Sequence, residues 1–191
     1  MWDSTKKLSR TPMNALPVFI ALILCSSFAS AETDVTIYGD VTMSKPLQLQ
    51  KCPEKYYMQN HPSCFMGGGD KSVFFVFGSG SQPPSYLKDE PSIDLRNGVV
   101  VGMTIGTNGV IGQEAAYSDL VKKFGAPTKK SMDAIKTVGG ASHTSIVASW
   151  RLDNLSVSFN GVIGSVSDGI IVIQTPELET ERMNRPRPKE M

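Results

Sequence analysis

Most apolar residues in this chain alternate with the period of a β-strand, and one stretch breaks that rhythm with the period of a helix. In residues 117–127, YSDLVKKFGAP, the side chains Tyr117, Leu120, Val121 and Phe124 recur at i, i+3, i+4 and i+7 and share one helical face. Asp119, Lys122 and Lys123 fall on the opposite, wet face. Gly125, just past the last periodic residue, predicts a left-handed cap, and Pro127 cannot continue a helix. Lys122 and Lys123 suit the negative end of the helix dipole. Gln113, Glu114 and Ala115 are good helix formers, with Glu114 in the first turn, so the helix is expected over about 113–124.

The strand-like segments lie on both sides of it. Residues 35–38 (VTIY) alternate, 41–43 continue them, and 47–50 (LQLQ) resume the pattern. Residues 73–77, VFFVF, read as a central strand buried on both faces. A short strand at 93–95, the turn dipeptide Asn97-Gly98 and the run 99–105 (VVVGMTI) read as a hairpin. Further on, 145–152 with Trp150, 155–159 and 169–175 form a meander. In Leu155-Ser156-Val157-Ser158-Phe159 every second residue is apolar, as a sheet with one wet face requires. Residues 52–70, 78–92 and 106–112 read as connections, and 128–145 as a long polar connection with a short helical turn at 131–135. After Pro176 the composition becomes charged, and 177–191 are expected to form a disordered tail. The pattern predicts an α+β fold: an antiparallel sheet with one principal helix, about 113–124, packed on one face. It spans 32–176, either as a single domain or as two small halves meeting near 78–92.

The N-terminus changes the accounting. Lys6, Lys7 and Arg10 precede an apolar run at 15–28, and Ala29-Ser30-Ala31 has the small residues that signal peptidase requires, so residues 1–31 read as a signal peptide cleaved after Ala31. The apolar run of 14 residues is shorter than the ~20 needed to span a bilayer, so no stable membrane span is expected after cleavage. Cys25 follows Leu22-Ile23-Leu24, which are too bulky for a lipid-attachment site. The protein is therefore expected to be periplasmic or secreted. Of 19 basic and 18 acidic residues, removal of the first 31 leaves 16 and 17. That balance has no basic footprint for nucleic acid. Cys52 and Cys64 remain as an even pair in an exported chain and are expected to form a disulfide closing an N-terminal loop.

Candidate chemistry is sparse. His61 with Cys52 and Cys64 makes at most three zinc ligands where a structural site takes four, so a disulfide and a loop histidine are the better account. His143 lies among serines and threonine, but no Gly-x-Ser-x-Gly elbow occurs, and it is expected on a surface loop. Gly106, Gly109 and Gly112 stand between a strand and a helix, yet their spacing fits neither the dinucleotide fingerprint nor the P-loop. Gly67-Gly68-Gly69-Asp70 lacks the alternating carboxylates of a calcium loop and reads as a hinge. The acidic pair Asp89 and Glu90, and Glu177, Glu179 and Glu181, are expected to be solvated. Asn154-Leu155-Ser156 matches a glycosylation sequon at the head of a half-buried strand, in a chain whose style is bacterial. No catalytic, cofactor-binding or metal residue is assigned.

A helix ending in Lys-Phe-Gly-Ala-Pro, followed by a polar connection and three strands carrying Trp150, Phe159 and a last apolar run, resembles SmpA/OmlA-like envelope lipoproteins and β-lactamase-inhibitor-protein-like domains over residues 113–175. The chain departs from them in lacking a lipid-modified cysteine at the mature N-terminus and in the length of its 128–145 connection. The resemblance implies a small α+β layer that acts by binding other proteins. The expected function is thus a non-enzymatic exported protein whose partner is another envelope or secreted protein. An inhibitor of a secreted hydrolase, or a small hydrolase or ligand-binding protein with a hidden pocket, is the alternative.

Overall fold

The computed structural model describes residues 35–38 and 41–185, all within one unit, Glu32–Met191. The expectations for residues 1–31 and for the end of the tail lie outside the described residues. The elements run β1 (Cys64–Gly69), β2 (Ser72–Val76), β3 (Ser92–Arg96), β4 (Val99–Thr107), α1 (Gly109–Phe124), β5 (Lys129–Lys136), β6 (Ser142–Leu152), β7 (Leu155–Asn160), β8 (Gly169–Gln174) and α2 (Pro176–Asn184). The eight strands form one antiparallel sheet in the order β1-β2-β3-β4-β8-β7-β6-β5. The fold is α+β, and strands from both parts of the chain share its sheet. No described helix is long and apolar enough to cross a membrane.

The register explains where the core sits. Val73, Ile93, Met103, Ile173, Val157 and Trp150 lie opposite one another in turn across β2, β3, β4, β8, β7 and β6. All six are buried. The helix α1 packs over β6, β8 and β4, presenting Ala116 and Leu120 to this row, with Tyr117 and Phe124 against Trp150 at ring separations of 6.2 and 6.4 Å. The segment before β1 adds Ile37, Val41, Met43 and Leu49 to the same cluster, and Tyr38 stacks on Phe75 at 5.9 Å. Each large apolar side chain buried in this way contributes roughly 1.5–3 kcal/mol.

The helix is fastened to the sheet at both ends. Gln113, which is buried, accepts from Ile146 N–H and donates to the Thr144 carbonyl, both at 2.8 Å. At the other end Trp150 Nε1 donates to the Gly125 carbonyl at 2.8 Å. The expected face of α1 is present, but the helix begins four residues before Gln113, leaving Glu114 outside its first turn. Gly109 makes that early start possible. It has φ +52°, and a Cβ there would lie 2.1 Å from the Val166 carbonyl oxygen.

Several elements depart from expectation for physical reasons. Residues 129–136 form β5, an edge strand with only Ile135 half-buried, so alternation is invisible in its sequence. Residues 177–184, expected in the tail, join Pro176 to form α2: Thr175 caps it by accepting from Leu178 N–H at 3.4 Å, and Pro176 occupies its first turn. Ion pairs link Arg182 to Asp94 and Glu181 to Arg96, each at 2.6 Å, and Arg151 to Glu179. Phe74, in the run read as buried on both faces, is 45% exposed because only one face of β2 meets the core. Residues 35–38 and 41–43 make a single bridge, Thr36 to Thr42, instead of strands. Lys123 is exposed as expected, but its ammonium reaches across to donate to the Thr36 and Ile37 carbonyls at 2.6 and 3.2 Å.

Gly125 has the expected positive φ, 77°, but its ψ of −162° places it in an extended region open essentially to glycine alone, not in the left-handed helical one. A Cβ there would meet nothing within 4 Å, so any cost of a side chain is backbone strain. Gly125→Val is expected to lower stability by about 1–3 kcal/mol, read as a shift in the urea midpoint; an unchanged midpoint would show that this conformation is not required.

Candidate functional site

With α1 committed to one face of the sheet, the chemistry available for recognition lies on the other. There the register aligns Met66, Phe74, Ser92, Thr104, Val172, Ser158, Ser149 and Lys129 across all eight strands. A second row runs Gly106, Ile170, Asn160, Val147 and Ser131. α2 covers one end of this face. Its Leu178 is buried over Gly102, where a Cβ would sit 2.6 Å from Leu178 Cδ2, and Arg182 donates to Gln174 at 2.8 Å. Glu181 accepts from Arg185 and Arg96, and these contacts hold its carboxyl below the ordinary range.

Beyond α2 the face is open. A depression of about 580 Å³ lies over β5, β6 and β7, lined by Lys129, Ser131, Val147, Ser149, Ser158 and Asn160. It adjoins a second of about 220 Å³ beside α2, whose walls include Thr128, Arg151, Ser156 and Glu179. Hydroxyls and a carboxamide over a valine floor supply hydrogen bonds to a flat ligand surface. Among the described residues the first depression has no histidine or carboxylate in its lining, and Glu179 in the second is tied to Arg151.

The other residues singled out in the sequence lie elsewhere. Cys52 and Cys64 form the disulfide, with Cα atoms 5.1 Å apart. The sulfurs that a metal would need are joined to each other. His61 is beside the bond, Nδ1 2.7 Å from the Pro62 carbonyl, with its ring edge-on to Tyr56. His143 is in β6 opposite Ile135, half-buried on a strand and not on the loop expected for it. Neither histidine has a carboxylate partner among the described residues. Gly106, Gly109 and Gly112 do not gather around an open helix end: the Val110 N–H donates to the Val166 carbonyl at 2.8 Å. Gly67, Gly68 and Gly69 belong to β1 and its turn into β2.

No protein-family model, curated protein or solved structure matches the chain. The site is therefore read from its own geometry.

A second cluster of polar groups lies where α1 meets residues 35–38. Tyr38, Tyr86, Asp119 and Lys123 surround a cavity of about 30 Å³ walled by Leu120 and Ile171. The Tyr38 and Tyr86 hydroxyls are 3.5 Å apart. Burial raises both phenols above their ordinary value, Tyr38 far above it, and burial lowers Lys123. Seated on the Thr36 and Ile37 carbonyls, Lys123 closes this joint, which is structural.

Two outcomes follow from these groups. Peptide mapping without reductant should find Cys52 joined to Cys64, and recovery of both as free thiols would contradict the bond. In the folded protein Tyr38 and Tyr86 keep their protons, whereas unfolded tyrosine ionises at its ordinary value of 10.0, so their stabilisation is intact below that pH and is lost as pH rises beyond it. Lys123 acts oppositely, since the unfolded chain holds its proton longer, and stability rises with pH between its lowered folded value and 10.5. With two phenols against one amine, the urea midpoint should fall above pH 10, and fall less in Tyr38→Phe. Identical profiles for Tyr38→Phe and the parent would exclude the phenol pair as the cause.

Proposed function

We propose that this is an exported, non-enzymatic binding protein whose open sheet face receives another envelope or secreted protein. The observation that carries the reading is the pair of adjoining depressions between α2 and the β5 edge, rich in hydroxyls and floored by Val147. Export is supported by the signal-like residues 1–31, with cleavage after Ala31 and a periplasmic or secreted destination, and by a disulfide of the kind kept in oxidising compartments. The likeness of residues 113–175 to SmpA/OmlA-like and β-lactamase-inhibitor-protein-like domains points the same way. A partner that is itself a secreted hydrolase would make the protein an inhibitor.

The two depressions are open and lined mainly by small polar side chains, which suits a protein surface better than an enclosed small molecule. A photo-crosslinking residue placed at Ser158 should yield a discrete adduct in an envelope fraction, and the same residue at Ile111, 92% exposed on α1, should not. Adducts from Ile111 alone, or equally from both, would sink the assignment of the face.

A further inference from the structure

Resting on the reading that the protein binds another protein, we propose that β5 is a docking edge that takes an extended acidic segment of that partner as a ninth strand. The backbone geometry identifies which groups are offered. Thr137 N–H donates to the Ala141 carbonyl at 2.9 Å at the end of the β5–β6 hairpin. Hydrogen-bonded and non-bonded pairs alternate in an antiparallel ladder, so the register Ile135/His143, Asp133/Ser145, Ser131/Val147 and Lys129/Ser149 comprises the bonded pairs. The far side of β6 agrees: Gly161 N–H donates to the Ile146 carbonyl at 2.7 Å, so the even-numbered residues of β6 point toward β7 and the odd ones toward β5. The N–H and C=O groups of Lys130, Met132, Ala134 and Lys136 therefore point away from the sheet.

The side chains of these four residues share the α1 side of the edge, since their partners Ala148 and Ile146 face the core there. Lys130 is held on that side, its Nζ 4.1 Å from the centre of the Tyr117 ring. Met132 is 55% exposed. Read along the edge the pattern is cation, apolar, apolar, cation at alternate positions, about 20 Å from end to end. It is symmetric, so it selects the same partner pattern in either strand direction: carboxylates six residues apart flanking two apolar residues at alternate positions. Strand addition draws affinity from the backbone and specificity from alternate side chains.

Charge selects among occupants. β5 carries Lys129, Lys130 and Lys136 against Asp133 alone. Two copies pairing edge to edge bring like charges together, which is the usual means of keeping a bare edge from self-association. An acidic segment turns the same lysines into attraction, and the like-charge penalty into discrimination.

The test uses dye-labelled peptides of sequence ETVTVTE and KTVTVTK with the purified protein, read by fluorescence anisotropy at low and high salt. The acidic peptide should bind at least tenfold more tightly than the basic one and weaken as salt rises. Met132→Pro removes an outward N–H and no bond to β6, so it should keep the melting temperature and lose at least tenfold in binding. Lys130→Glu with Lys136→Glu should reverse the preference between the peptides. The proposal is overturned if neither peptide binds, if both bind alike, if Met132→Pro binds as the parent does, or if the edge pairs instead with a second copy in a dimer that Met132→Pro abolishes. Crosslinking from Ser158 reads the face independently of the edge, so loss of one result does not imply loss of the other.

Discussion

The carboxamide of Gln113 stands where the next peptide unit of β7 would be. β7 ends at Asn160, and beyond it the buried Ile146 N–H would otherwise lack a partner, with the Thr144 carbonyl beside it nearer the surface. Gln113 satisfies both from the first half of α1, which converts the end of a strand into an anchor for the helix. A buried backbone group left unpaired costs about 1–3 kcal/mol. The site therefore strongly favours this side chain, and with it the position of the helix. Trp150 fixes the opposite end through Gly125, so helix and sheet meet in one orientation.

From that orientation the division of labour between the faces follows. The buried row from Val73 to Trp150 accepts α1 and the segment before β1. The opposite face keeps small polar side chains, Ser92, Thr104, Ser149 and Ser158, interleaved with Val147 and Val172. α2 covers part of it with a single buried apolar residue, Leu178, and three ion pairs, two to β3 and one to β6. Exposed pairs of this type contribute little individually, so the helix holds its place through the Thr175 cap and the fit of Leu178 over Gly102 as well as through charge.

What could be read in the sequence was whatever buried one face against another. The period-2 run of β7, the Asn97-Gly98 turn, with φ values of 52° and 77°, and the apolar face of α1 all carry their reasons locally. β5 does not, because an edge strand wet on both sides shows no alternation and its pairing is decided by β6. The start of α1 was hidden by Gly109 and Gly112, poor helix formers retained because the chain packs closely against them. α2 was hidden because its ion-pair partners Asp94, Arg96 and Arg151 lie far away in the chain. The open face escaped notice for a similar reason: serines alternating with valines look like any solvent side until register aligns them into rows.

Seven strand pairs build this sheet, and six join strands that are consecutive in the chain. The exception is β4 with β8, where Gly102 lies opposite Gln174 and a loop of roughly 70 residues is closed. Loop closure costs grow only with the logarithm of length, and here a cost of that size is met once, at a single seam down the middle of the molecule. On either side of it the chain zips locally, hairpin by hairpin. A sheet of eight strands is thereby assembled with the long-range ordering of only one pair, and α2, tied to β3 on one side and β6 on the other, straps that seam.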